Sequence, residues 1–177
     1  MNGLLIVNTG NGKGKTTAAL GLAFRALGHE LPVCIIQFIK GHWKYGELKS
    51  AARFKDSFFE GLLDFHVMGE GFTWKSKDLE KDREAARLGW EMAKSVIAAG
   101  RHRLVILDEL TWLLKYKMVD ESEVLDSLRK RPEGLHVVVT GRNAPPALIE
   151  MADLVTEMKE LKHPYHAGVK AQKGIEW

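Results

Sequence analysis

The chain has 177 residues, a length that predicts a single domain over residues 1–177 with a substantial buried core. Its hydrophobic fraction of 45%, its charged fraction of 28% and its formal net charge of +3 give no indication of a nucleic-acid partner. A single cysteine, Cys34, excludes an internal disulfide, and no apolar run reaches the ~18 residues of a membrane span. Since no signal peptide precedes the first apolar run, we expect a cytoplasmic protein with no membrane partner.

Short apolar runs alternate with helical patterns along the chain, and this order predicts an α/β fold with a mostly parallel central sheet flanked by helices. Strands are predicted at Leu4–Asn8, Val33–Phe38, Leu63–Val67, Leu104–Leu107, Leu135–Thr140 and Leu154–Glu157. Helices are predicted at Lys15–Leu27, within Gly46–Phe54, and at Leu79–Ala99, Ser122–Lys130 and Pro146–Met151. Several of these strands are apolar throughout, as expected for strands that are covered on both faces.

A glycine-rich segment joins the first strand to the first helix. A strand, a glycine loop and a helix in this order form a phosphate-binding P-loop, in which backbone N–H groups and the positive end of the helix dipole face one anion. We therefore predict that this segment binds a nucleoside triphosphate. Its residues are Thr9, Gly10, Asn11, Gly12, Lys13, Gly14, Lys15, Thr16 and Thr17.

Two side chains of the loop have predicted roles, and one position departs from the usual pattern. Lys15 supplies a mobile positive charge, and the hydroxyl of Thr16 ligates a Mg²⁺ on a phosphate oxygen. The usual pattern, G-x-x-x-x-G-K-[ST], has glycine where this chain has Thr9, so Thr9 fits only if its backbone avoids the left-handed conformation. The alternative, a glycine turn with surface lysines, does not account for the complete strand–loop–helix context.

Two adjacent carboxylates, Asp108 and Glu109, end the apolar run Leu104–Leu107. In P-loop proteins a strand of this kind is expected beside the first strand, where its terminal acid reaches the Mg²⁺ held by the phosphates and Thr16. Neighbouring strand residues point to opposite faces, so the two acids act identically only if the strand has ended. We predict one as a direct metal ligand and the other through water; the alternative is a solvent-facing acidic turn.

Arg142 follows a third apolar strand, and two interpretations of it stay open. Its planar guanidinium suits bidentate contact with phosphate oxygens, but a salt bridge that shapes the following turn fits equally well.

His163 and His166 have an i, i+3 spacing that is more often structural than metal-binding. Residues 68–77 and 159–177 are too long for simple connections, and such loops at the carboxyl ends of parallel strands often hold ligands.

Several further motifs carry a resemblance to a known family. They are TGNGKGKTTAALGLAFRALGH (9–29), QFIKG (37–41), GFTW (71–74), VILDEL (105–110), TGR-x-AP (140–145), ADLVTEM (152–158) and KHPYHAGVKAQKGIEW (162–177). In this order and spacing, the chain resembles the P-loop ATP:corrinoid adenosyltransferases, also called cob(I)alamin adenosyltransferases. The P-loop is common to many families, whereas GFTW and the C-terminal segment are far more specific. The resemblance implies a P-loop NTPase fold of the RecA-like type.

The resemblance also implies a reaction and a set of partners. Co(I) of a reduced corrinoid attacks the 5′-carbon of ATP, triphosphate leaves, and a Co–C bond forms in adenosylcobalamin synthesis or salvage. Lys13, Lys15, Arg142 and Mg²⁺ or Mn²⁺ would stabilise the leaving triphosphate, which lies in the loop reversed relative to ordinary ATPases. Phe72 and Trp74 of GFTW would lie against the corrin face; the alternative is that they pack their loop onto the domain. An external flavoprotein-type reductase and a homodimer are expected from the family.

Many members of this family have a segment before the first strand that folds over the active site. Here only Met1 and Asn2 precede the strand region, so we expect a lid to come from residues 68–77, the C-terminal segment or a dimer partner. Two alternatives to adenosyl transfer stay open at this point. One is a RecA-like ATPase or small kinase, and the other is a non-catalytic carrier of adenosylated corrinoid.

Overall fold

The computed structural model describes residues 2–41, 45–55, 60–69 and 79–176. Within these ranges, the strands are β1 (Leu5–Thr9), β2 (Val33–Gln37), β3 (Leu63–Val67), β4 (Leu104–Asp108), β5 (His136–Thr140) and β6 (Leu154–Glu157). The helices are α1 (Lys15–Leu27), α2 (Gly46–Lys55), α3 (Leu79–Ala99), α4 (Leu110–Lys115), α5 (Glu121–Arg129) and α6 (Pro146–Met151), and a 3-10 turn covers Pro164–Ala167.

The described strands form one sheet in the order β3-β2-β4-β5-β1-β6, and every neighbouring pair is parallel. The predicted parallel α/β architecture is therefore confirmed. The expectation that the acidic strand β4 lies beside β1 is wrong, because β5 lies between them and pairs with both. All carboxyl ends still meet at one edge of the sheet, so residues that end β1, β4 and β5 face a common site.

The sheet separates two apolar cores, because successive strand residues point to opposite faces. Leu5 and Val7 pack on one face with Trp90 of α3 and Val124 of α5. Ile6 packs on the other face with residues of α1 and α2. All residues of β1, β2 and β4 are buried, which explains why these strands are apolar almost throughout.

The predicted elements agree closely with the observed ones. The bounds of α1, α3, α6, β3 and β6 are the same, and most of the other predicted ends differ by one residue. The helix α4 was not predicted, since its six residues, LTWLLK, are too few to display a helical period. None of the described helices has the length and apolar character needed to cross a membrane.

Candidate active site

The glycine loop connects β1 to α1 in the backbone conformation that a P-loop requires. Thr9 is the last residue of β1 and keeps extended backbone, so its predicted conformation is confirmed, while Gly10 (φ 95°) and Gly14 (φ 112°) take up the left-handed conformations. A Cβ at Gly10 would lie 2.5 Å from the carbonyl oxygen of Met158, which accepts a 2.7 Å hydrogen bond from the N–H of Gly12. Glycine is required at Gly10 by conformation and by this close packing.

The N-terminus of α1 carries no side-chain cap, because Gly14 occupies the cap position. The N–H groups of a first helical turn have no partner inside the helix, and together with the helix dipole they attract an anion. The Lys15 ammonium lies beside them, buried, and donates a 2.7 Å hydrogen bond to the carbonyl oxygen of Gly12. Burial lowers the pKa of Lys15, although the nearby carboxylate of Glu109 partly offsets this effect.

The other lysine of the loop, Lys13, is paired with the C-terminal segment. Its ammonium lies 2.6 Å from a carboxylate oxygen of Glu176, and 48% of its side chain is exposed. An ion pair that is this exposed contributes at most about 1 kcal/mol to stability, so a phosphate group can replace Glu176 as the partner of Lys13. The C-terminal segment thus reaches the P-loop through Glu176.

Asp108 forms the centre of a buried hydrogen-bond network at the end of β4. Its Oδ1 accepts hydrogen bonds from the hydroxyls of Thr16 (2.8 Å) and Thr140 (2.7 Å). Its Oδ2 accepts a 2.9 Å bond from Nε2 of Gln37. The Thr140 hydroxyl accepts a 2.9 Å bond from the backbone N–H of Glu109, so this network also fixes the start of the next segment. Only 1% of Asp108 is exposed, which argues against the solvent-facing acidic turn.

Glu109 differs from Asp108 because the strand has ended. Its backbone is left-handed (φ 63°), and its side chain lines the cavity next to the P-loop. Burial raises the pKa of the Glu109 carboxyl, and the Asp108 carboxylate raises it further. Lys15 and Arg142 partly offset this rise. Oε2 of Glu109 is buried and has no hydrogen-bond partner among the described residues, so it is available to a ligand.

Three oxygen-bearing side chains fit a magnesium ion at this place. Thr16 and Glu109 both line the cavity, and Asp108 accepts a hydrogen bond from the Thr16 hydroxyl. Mg²⁺ prefers hard oxygen ligands, usually from one or two carboxylates and phosphates. The unpartnered Oε2 of Glu109 is the kind of buried acceptor that such an ion would satisfy.

The guanidinium of Arg142 also lines this cavity. Within the described part of the chain, no carboxylate lies at ion-pair distance from it, so the salt-bridge interpretation of Arg142 has no support there. Instead its backbone carbonyl is fixed by a 2.7 Å hydrogen bond from the Thr111 hydroxyl. The arrangement leaves the guanidinium available to an anion in the cavity.

The cavity has a volume of about 630 Å³ and combines polar and apolar walls. The P-loop, Glu109 and Arg142 form its polar side. The apolar side comes from α1, α2 and the sheet, and includes Leu20, Phe24, Phe54 and Phe65. His163 and residues Gly174–Glu176 contribute from the C-terminal segment. A polyphosphate joined to, or lying beside, an apolar ring system matches this combination of walls.

Two other pairs of predicted residues have different outcomes. His163 accepts a hydrogen bond from the backbone N–H of Tyr165, and His166 lies 2.7 Å from a carboxylate oxygen of Glu160. Both rings thus have hydrogen-bond partners within the C-terminal segment, which favours the structural interpretation of the two histidines. Phe72 and Trp74, and the rest of 70–78, lie outside the described residues.

Gln37, Tyr45, Thr111, Thr140 and Gly141 contribute to this site but were not predicted. Gln37 and Thr140 are polar residues that end otherwise apolar strands, and that pattern marks them in the sequence. The hydrogen bond between Tyr45 and Gln37 has no comparable sequence pattern.

We expect Gly141→Ala to lower the free energy of unfolding by about 2–4 kcal/mol. Gly141 has φ 135°, and a Cβ there would lie 2.1 Å from Oγ1 of Thr111, which holds the carbonyl of Arg142. Urea denaturation of the purified variant measures the change. Gly21→Ala is the matched control: Gly21 lies in α1 with open space around it, and the substitution should raise stability by up to about 1 kcal/mol. Equal stability of Gly141→Ala and the wild type would contradict the expected clash.

The fold and the site together define a class of protein. A parallel sheet with a glycine loop after β1, a buried lysine in that loop and a carboxylate bonded to the following threonine identify a P-loop nucleotide-binding protein. The crystal structure of the flagellar accessory protein FlaH from Methanocaldococcus jannaschii has a similar fold. The TM-score is 0.57 at 12% sequence identity, and the match covers 88% of this chain and 71% of that one.

Sequence comparisons define the family within this class. The family described as ATP:corrinoid adenosyltransferase BtuR/CobO/CobP matches residues 1–177. The corrinoid adenosyltransferase of a Sinorhizobium species is 46% identical over 176 residues, which cover 99% of this chain and 80% of that protein. The corrinoid adenosyltransferase of Pseudomonas aeruginosa is 46% identical over 175 residues, which cover 99% of this chain and 84% of that protein. The chain therefore belongs to the ATP:corrinoid adenosyltransferase family, with ATP and a corrinoid as its substrates.

Proposed function

We propose that the P-loop holds the triphosphate of ATP as a leaving group while the 5′-carbon faces the apolar side of the cavity. Co(I) of the reduced corrinoid donates an electron pair to the 5′-carbon, the C5′–O bond breaks, and triphosphate leaves with that bonding pair. The cavity supports this assignment: its loop wall suits a polyphosphate, and its wall of Phe24, Phe54 and Phe65 suits the apolar face of a corrin ring. The whole chain, residues 1–177, would form one catalytic domain.

The residues of the polar wall would stabilise the negative charge that develops on the leaving triphosphate. Lys15 is already at the N-terminus of α1, and Lys13 would exchange Glu176 for a phosphate oxygen. Arg142 would approach from the end of β5. The attacking cobalt comes with the substrate, so this mechanism requires no protein nucleophile and no general base.

We also propose Mg²⁺ or Mn²⁺ as a cofactor of this site. When bound, it would neutralise phosphate charge and polarise the leaving group. The unpartnered oxygen of Glu109 supports Glu109 as the direct carboxylate ligand. Asp108 has three hydrogen-bond donors on its two oxygens, which supports a role through Thr16 instead.

The source of the electrons that form Co(I) is proposed to lie outside this chain. Its single cysteine, Cys34, is fully buried in β2, and burial raises the pKa of its thiol to about 12. Such a thiol does not form a reactive thiolate at neutral pH. We therefore retain an external flavoprotein-type reductase as the electron donor. A cytoplasmic homodimer and either cob(I)yrinic acid a,c-diamide or cob(I)alamin as acceptor complete the proposal.

One experiment tests the proposed reaction directly. The protein is incubated with ATP, Mg²⁺ and chemically reduced cobalamin, the corrin absorbance is followed, and the released polyphosphate is identified. Triphosphate together with a Co–C bond is the expected result. Release of ADP without alkylation would instead favour an ATPase or kinase, and corrinoid binding without ATP consumption would favour a carrier.

We expect Trp74→Ala to impair corrinoid reduction and leave ATP binding intact. The family resemblance assigns Phe72 and Trp74 to the corrin face, where an apolar wall excludes water and a lower axial ligand from cobalt. The rate of Co(I) formation with an external reductant is measured beside the Kd for MgATP. A parallel loss of ATP affinity would contradict a role confined to the corrinoid.

A further inference from the structure

A chain of buried hydrogen bonds continues from Asp108 away from the P-loop. Nε2 of Gln37 donates to Oδ2 of Asp108 at 2.9 Å, and the Tyr45 hydroxyl donates to Oε1 of Gln37 at 2.5 Å. Gln37 is 1% exposed and Tyr45 is 5% exposed, so water does not compete for these bonds. All four side-chain atoms that form these two bonds are therefore paired. A buried polar network stabilises one arrangement when its members are paired in this way.

The direction of these bonds is determined by the chemistry of their groups. An ionised carboxylate only accepts hydrogen bonds, so Gln37 must present its amide nitrogen to Asp108. Its amide oxygen then faces Tyr45, whose hydroxyl is the donor that this oxygen needs. Burial raises the pKa of Tyr45 to about 12, which keeps its donor proton in place at neutral pH. If the hydroxyl were removed, the buried amide oxygen of Gln37 would be unpaired, and no donor would hold the amide in this orientation.

The same series of hydrogen bonds connects Thr16, the proposed metal ligand of the P-loop, to a wall of the cavity. Oδ1 of Asp108 accepts a hydrogen bond from the Thr16 hydroxyl, and this bond directs the lone pairs of the Thr16 oxygen away from Asp108. Tyr45 immediately precedes α2, whose residues Glu47, Ser50 and Phe54 line the cavity. The Lys40 ammonium lies 4.8 Å above the Tyr45 ring and 3.0 Å from the carboxylate of Glu47, which ties Tyr45 to this wall.

We propose that Gln37 and Tyr45 are positioning residues for adenosyl transfer, which orient Asp108 and through it the Thr16 hydroxyl that ligates the metal on the triphosphate. This inference rests on the proposed function and extends it to two residues that lie outside the lining of the cavity. Partners that orient metal ligands typically change metal affinity or activity by about 10- to 100-fold when they are removed. The effect of the Tyr45 hydroxyl should lie near the lower end, because it acts through two intervening side chains.

The test uses Tyr45→Phe, which removes one hydroxyl and keeps the ring beneath Lys40. ATP affinity is measured by calorimetry in excess Mg²⁺ and in EDTA, and turnover is measured as a function of Mg²⁺ concentration. We expect the Mg²⁺-dependent gain in ATP affinity to fall about tenfold, with unchanged affinity in EDTA and a lower kcat. Tyr116→Phe is the matched control, since Tyr116 lies at the end of α4, 43% exposed, and should behave as the wild type.

A double-mutant cycle separates positioning from general destabilisation. If Tyr45 acts through Gln37, adding Tyr45→Phe to Gln37→Leu should cause no further loss of Mg²⁺-dependent affinity. Additive losses would overturn the proposal, and so would equal losses with Mg²⁺ and in EDTA or a Mg²⁺ dependence identical to the wild type. The wild-type protein tests the proposed function separately. If it binds ATP in a Mg²⁺-dependent manner but forms no Co–C bond, the proposed function is wrong.

Discussion

Replacement of Lys15 by alanine is expected to lower the rate of adenosyl transfer by at least ~100-fold, the cost of losing one group that stabilises developing charge. The Lys15 ammonium is buried beside the N-terminus of α1, where a low local dielectric strengthens its attraction to a polyphosphate. The negative charge on triphosphate grows as the C5′–O bond breaks, so the loss should fall on kcat as well as on ATP affinity. Single-turnover formation of the Co–C bond, followed by corrin absorbance, measures it.

Two controls make the Lys15 result specific. Lys130→Ala removes a lysine from the exposed C-terminal end of α5 and should leave turnover unchanged. Lys15→Ala should also unfold at a temperature close to that of the wild type, because among the described residues the Lys15 ammonium donates a hydrogen bond to a loop carbonyl and to no other group. Near-normal turnover by a folded Lys15→Ala protein would show that the triphosphate does not leave from this loop.

The second large effect is expected for Asp108→Asn, which should reduce turnover by about 100-fold and destabilise the fold. Three donors, from Thr16, Gln37 and Thr140, surround the carboxylate. An asparagine amide has one oxygen acceptor, and its NH2 group would face donors that now bond to the second carboxylate oxygen. At least one buried hydrogen bond is therefore lost. We expect the free energy of unfolding to fall by about 1–3 kcal/mol, as measured in urea.

The loss of function in Asp108→Asn should exceed what unfolding explains, so turnover is measured where the variant is fully folded. Raising the Mg²⁺ concentration should recover part of the activity if the metal site is distorted but not removed. Asp126→Asn is the control: its carboxylate forms an exposed i, i+3 pair with Arg129, and its stability should change by less than about 1 kcal/mol. Wild-type turnover by Asp108→Asn would contradict any role for this acid at the metal.

The predictable parts of the site are those whose residues lie in one short, contiguous segment of the sequence. The glycine loop, Lys15 and Thr16 follow from one strand–loop–helix junction, and Asp108 and Glu109 follow from the end of one apolar strand. The different environments of the two acids were not predictable, because they depend on the left-handed backbone at Glu109 and on donors from distant strands. The position of β5 between β1 and β4 was also missed, since strand order is a property of the whole sheet.

By itself the sequence determined the α/β class, the P-loop, the acidic strand end and the family, because each depends on residue types at fixed local spacing. Only the tertiary structure decided which residues meet at the site. Thr16 and Asp108 are 92 positions apart, and Lys13 and Glu176 are 163 positions apart. The first contact arises because parallel strands place their carboxyl ends at one edge of the sheet, whatever their separation along the chain, and the second because the segment after β6 continues from that edge to the P-loop. Tyr45 joins this edge only through the packing that buries its hydroxyl against Gln37.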